Sequence, residues 1–110
     1  MLVVAAAAAC SSNAPPARMT AKSDQTLLLG VARGMQRCWL SGNAAFAGYR
    51  MADERNSAAK RVLLVDRDDP RGLPKLVAQA AASRVSVFGP LATPARTAKI
   101  RAWSKGAAAC

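Results

Sequence analysis

Few side chains in this 110-residue sequence are equipped for chemistry. There is no histidine, which removes the commonest general base, the usual hydrolytic triads and most zinc sites together. The three cysteines, Cys10, Cys38 and Cys110, lack metal-ligand spacing. Asp66, Asp68 and Asp69 form the one local acidic cluster, with Arg67 and Arg71 inside it. A calcium loop alternates oxygen ligands over about twelve residues, with glycine at the turn and a closing glutamate. This stretch does not, and it reads as a solvated turn. Asp53 and Glu54 are adjacent carboxylates with no second acid brought to them, and Ser57 has no recognisable base. Gly30, Gly34 and Gly42 lack the strand–turn–helix setting of a phosphate loop. The sequence therefore predicts no catalytic residue, no metal ligand and no cofactor site, and a protein that is not an enzyme.

Charge says more. Sixteen Lys+Arg stand against six Asp+Glu, a net charge of +10 and a pI near 10.9. That balance favours anionic surroundings: nucleic acid, phospholipid head groups or an acidic envelope polymer. The cations are spread singly from Arg18 to Lys105, without the aromatic interleaving of a single-strand binder. Four of them, Arg96, Lys99, Arg101 and Lys105, share one candidate helix and are the candidate contacts to an anionic surface. At about 100° per residue, Arg101 and Lys105 fall near each other and Arg96 lies on the far side. With Ile100 and Trp103 docked on a sheet, Arg101 and Lys105 point to solvent. Arg96 and Lys99 then flank the docked face with their stems partly packed.

The elements that must position these residues make an α+β fold. Val62-Leu63-Leu64-Val65, Leu76-Val77 and Val85-Ser86-Val87-Phe88 are three β-prone runs. They are separated by 66–74, which holds Pro70, Gly72 and Pro74, and by Ala82-Ser83, so they predict an antiparallel meander. A fourth, shorter strand is expected over 46–51, with a polar loop over 52–60. The first run is apolar on both faces, as in a central strand covered on both sides. In the third, Val85 and Val87 alternate with Arg84 and Ser86, leaving Phe88 on the outer face. Apolar residues at three- and four-residue spacing predict a helix over 23–40, capped by Ser23 with Asp24 in its first turn. Gly30 and Gly34 weaken that helix, and their spacing either permits close approach of another backbone or is incidental. Thr93-Pro94 opens a second helix that runs to about Ser104, with Gly106 as its stop. The sheet thus has three or four strands, flanked by an N-terminal and a C-terminal helix in one domain over 23–106. Residues 107–110 are expected to be a frayed tail. Cys38 and Cys110 either pair in an oxidising compartment or remain a buried and a free thiol.

Residues 1–9, Met-Leu-Val-Val and five alanines, form an apolar run that ends in small residues before Cys10. Such a run has the character of a secretory signal and is too short to span a bilayer, which takes about 20 apolar residues. Ala7-Ala8-Ala9-Cys10 resembles the lipobox of bacterial lipoproteins, whose cysteine is lipidated through its thiol and becomes the mature N-terminus. The chain departs from that pattern in having no Lys or Arg before the run, and Ala7 where leucine is usual. Ser11-Ser12-Asn13-Ala14-Pro15-Pro16 and the residues to Lys22 then read as a flexible tether. By the same resemblance Ser11 fits export to the outer membrane. The order Cys38-Trp39, Phe46, Tyr49, Asn56-Ser57, Val62-Leu63-Leu64-Val65 and Phe88-Gly89-Pro90-Leu91 also resembles a group of small alphaproteobacterial envelope lipoproteins. Together these resemblances imply a membrane-tethered, periplasm-facing protein with a non-catalytic structural or interaction role. Its expected partners are the membrane through the lipid, and anionic lipid or envelope polysaccharide. The runner-up is a cytosolic basic protein that holds nucleic acid by phosphate contacts.

Overall fold

The computed structural model of the protein describes residues 23–110. The leader expected over 1–9, the lipidation site Cys10 and the tether to Lys22 lie outside the described residues. The described chain runs from helix α1 (Asp24–Gly34) through strands β1 (Tyr49–Glu54), β2 (Arg61–Asp66), β3 (Leu76–Ala81) and β4 (Arg84–Phe88) to helix α2 (Pro94–Ser104). Each strand pairs antiparallel with the next in the order β1-β2-β3-β4. This is the predicted α+β meander between two helices.

Both helices start where short-range chemistry says they should. The Ser23 hydroxyl accepts the Thr26 N–H at 3.1 Å, and the Thr93 hydroxyl accepts the Arg96 N–H at 3.2 Å. Each cap satisfies one of the amides that a helix start leaves without an intrahelical acceptor. Leu27, Leu28, Val31 and Met35 turn one face of the first helix into the core. Beyond Gly34 the coil widens into a π-helical segment, Met35–Leu40. Its last carbonyls are satisfied from beyond its end, by the Ser41 hydroxyl on Gln36 at 2.7 Å and the Asn43 amide on Cys38 at 3.4 Å.

The first strand is displaced from its expected place at 46–51. Phe46 instead ends a 3-10 turn (Ala44–Phe46) started by the Asn43 side chain, which accepts the Ala45 N–H at 3.0 Å. Its ring stacks on Trp39 with centroids 4.7 Å apart, so its aromatic surface serves the core from outside the sheet. Ala52 to Glu54, expected in a polar loop, continue β1 because each finds a partner: Ala52 opposite Leu63, Asp53 opposite Val62, and Glu54 opposite Arg61. Glu54 and Arg61 close the ladder with an ion pair at 2.6 Å.

The second strand is central, and all four of its apolar residues are buried. Helices, however, cover one face only. Val62 and Leu64 join Leu27, Leu28, Val31, Met35, Ile100 and Trp103 in one core. Leu63 points to the other face, where its direct neighbours are Ala52 on β1 and Val77 on β3. It is buried all the same, as is Val65, so both faces of the strand are covered as expected, with the helices supplying the cover on one of them.

Residues 107–110 are not a frayed tail. The Trp103 indole donates to the Ala109 carbonyl at 3.0 Å, the Ala107 N–H donates to Ala102 at 3.0 Å, and Cys110 forms a disulfide with Cys38 across 72 residues of chain. The tail's order comes from these distant partners, which its own residue types do not announce.

Two stability outcomes follow. Leu64→Ala removes a fully buried side chain from the central strand and should cost about 2–5 kcal/mol in a urea titration; a loss under about 1 kcal/mol would deny Leu64 its place in the core. Cys110→Ser should cost about 2–4 kcal/mol under oxidising conditions, because the long loop no longer restrains the unfolded chain. Under reducing conditions wild type and variant should titrate alike.

Candidate anion-binding cleft

The four cations of the second helix divide as their angles predict. Arg101 and Lys105 are exposed, whereas Arg96 and Lys99 are half-buried. Arg96 is engaged within the fold: its guanidinium lies over the Phe46 ring, 5.4 Å from the centroid, and donates to the Leu91 carbonyl at 3.3 Å. The ring face and the carbonyl fix the direction in which this guanidinium points, toward the fold and away from Arg101 and Lys105. Arg101 and Lys105, four residues apart, stand together on one wall of a cleft of about 400 Å³ between α2 and the β4 end of the sheet.

The opposite wall is the turn and first residues of β4. Arg84 brings a third cation, and Ser83 and Ser86 bring hydroxyls. Leu27 and Val85 supply the apolar lining, and Ser104, whose hydroxyl donates to the Arg101 carbonyl at 2.6 Å, completes it. Among the described residues no carboxylate lines this cleft. The nearest acid in the hydrogen-bond network is Asp24, whose Oδ1 accepts the backbone N–H of Ser83 at 3.0 Å and so ties the turn to the first helix. Cations brought together over an apolar floor raise the local potential for an anion above that of singly scattered charges.

Three acids elsewhere are taken up in ion pairs. Asp53 meets Arg55 at 2.7 Å, Glu54 meets Arg61, and Asp66 lies 3.6 Å from Lys75. The hydrogen bond from the Arg55 side chain holds the Asp53 carboxyl below the usual carboxylate range, against a smaller opposing effect of burial. Asp68 and Asp69 are exposed in the turn after β2. Among the described residues no three His, Cys, Asp or Glu side chains gather to hold a metal ion.

Arg101 and Lys105 were legible as site candidates from helical spacing. Arg84, Ser86 and Leu27 were not, because only the fold brings them to the same cleft. Arg84 carried one signal, a charge beside a two-residue turn at the start of a half-exposed strand.

No protein-family model, curated protein or solved structure matches the chain. Among the described residues no helix is long and apolar enough to cross a membrane.

The Asp53 pair gives a pH outcome with a definite sign. Its carboxyl titrates lower in the folded protein than in the unfolded chain, so its contribution is present above the unfolded value near 3.8 and is lost as pH falls through the folded value. The pair is more than a third exposed on the aspartate side, so Asp53→Asn should cost under about 1 kcal/mol at neutral pH. Urea titrations of both proteins should converge as pH is lowered through that range.

Proposed function

We propose that this chain is a small non-catalytic interaction module of the bacterial cell envelope. A lipid on Cys10 tethers it, facing the periplasm, with the outer membrane favoured by Ser11. Its basic cleft engages an anionic partner in that compartment. The observation that carries the reading is the cleft itself, where Arg84, Arg101 and Lys105 converge over Leu27 and Val85 with no lining carboxylate. Three cations beside an apolar floor suit binding of an anion with some apolar character. The Cys38–Cys110 disulfide supports the address, because such bonds persist in oxidising compartments such as the periplasm and are rare in the cytosol. The apolar run of 1–9 before Cys10 supports the same address and supplies the means of anchoring.

Expression in a bacterium fed labelled palmitate tests the anchor. Wild type should take up label and fractionate with membranes, and Cys10→Ser should do neither. An unlabelled wild type found in the cytosol would favour the nucleic-acid reading.

A further inference from the structure

We infer that the cleft accepts an extended acidic segment of a partner protein as a fifth strand on β4. This rests on the cleft being a site for an anion, and it names the class of partner. The fourth strand is an edge of the sheet, and its free side forms one wall of the cleft. Ala82 and Ser83, both at positive φ, make a two-residue turn, so Ala81 and Arg84 are the pair that closes the hairpin. In such a hairpin the closing pair exchanges both backbone hydrogen bonds, and every second residue after it repeats the pattern. Arg84, Ser86 and Phe88 therefore turn their backbone groups toward β3. Past Pro90, which has no N–H, the Leu91 N–H reaches the Lys75 carbonyl at 3.0 Å and continues the same ladder. Val85 and Val87 turn their N–H and C=O groups away from the sheet. Among the described residues no hydrogen bond from outside the sheet's own ladder ends on them.

An open strand edge recognises extended backbone, and its flanking side chains select the sequence. Side chains of an added strand alternate between the two faces of the sheet. On the outer face they meet Arg84; on the helix face they meet Arg101 and Lys105. Carboxylates on either face thus find a cation. The same charges oppose the other occupant an open edge invites, a second copy of this chain. Pairing β4 with its own copy brings Arg84, Arg101 and Lys105 of both molecules together with no lining acid between them.

The test uses the full chain carrying Cys10→Ser, which cannot be lipidated, with Cys38 and Cys110 oxidised. The probe is a dye-labelled, acetylated peptide of about ten residues that alternates threonine and glutamate. It should bind at about 50 mM salt, and weaken as salt rises. Backbone N-methylation of two central residues, which keeps every charge and removes strand donors, should weaken binding at least about tenfold. Arg101→Gln with Lys105→Gln, at exposed positions, should do the same. At saturation, amide exchange at Val85 and Val87 should slow by about tenfold or more, while Arg84 and Ser86, already bonded to β3, change little. Several results overturn the inference: no binding of the acidic peptide, equal binding of the methylated one, or binding without protection of Val85 and Val87. Tighter binding of phosphatidylglycerol vesicles or duplex DNA through the same two cations also overturns it, assigning the cleft to that anion. So does a dimer that protects these amides without peptide. Failure here leaves palmitate labelling, and with it the envelope address, untouched; failure of labelling moves the address and leaves the peptide result standing.

Discussion

Trp103 packed on the two glycines of the first helix is the contact on which the rest of the structure depends. A Cβ at Gly30 would collide with the Trp103 carbonyl, and one at Gly34 with its indole ring. Each glycine weakens a helix by about 1 kcal/mol relative to alanine. Here the missing side chains let two helices approach closely enough to enclose an indole that is fully buried. The same ring stands edge-on to Trp39, 5.0 Å between centroids, and Trp39 stacks on Phe46. Its N–H holds the Ala109 carbonyl, which sets Cys110 within reach of Cys38. One side chain thus joins both helices, the aromatic column and the tail. A core of this size has few large side chains to spare, so concentrating contacts on one indole is an economical way to order it.

That docking also sets the orientation of charge. With Ile100 and Trp103 turned inward, helical geometry leaves Arg101 and Lys105 on the wall that faces β4. Arg96, on another side of the helix, is drawn to Phe46 and Leu91 and becomes part of the packing. Four cations close in sequence consequently do two different jobs. The disulfide reinforces the arrangement beyond the C-terminal end of α2, joining the tail that the indole holds to the segment after α1. None of this requires a cation to be buried without a partner, and among the described residues no buried side-chain nitrogen or oxygen lacks a hydrogen bond.

What was legible in the sequence was what neighbouring residues decide. Ser23, and Thr93 with Pro94, fix helix starts through contacts within a turn, so spacing alone revealed them. The run from Val62 to Val65 is apolar on both faces between turn-forming neighbours, which marks a central strand. The first strand was harder. Phe46 and Tyr49 have the aromatic character of strand residues, yet Phe46 is claimed by Trp39, and Ala52 to Glu54 are recruited by partners on β2 that no local propensity names. The role of Gly30 and Gly34 stayed open for the same reason: a glycine pair in a helix means close packing only if something large lies opposite, and Trp103 is some seventy residues away in sequence. Half of the cleft was visible as helical spacing; the other half depends on the register of β4 and on the placement of Leu27.

The two edges of the sheet make plain why the sign of the charge matters more than its total. On β1 both acids are neutralised locally: Asp53 is taken by Arg55, and Glu54 by Arg61. On β4 the charges lining the cleft are all positive, and the nearby Asp24 is held on the Ser83 N–H. Like charges along an edge deter pairing with an identical edge, a common protection against aggregation. Deterrence alone would be met by charges of either sign and in any position. These are instead gathered around a cleft with an apolar floor and an unpaired backbone, where the field that repels another copy attracts a segment of opposite charge. Protection of the edge and selection of its partner are then one electrostatic arrangement, and the orientation of the second helix, set by Trp103, supplies two of its three charges.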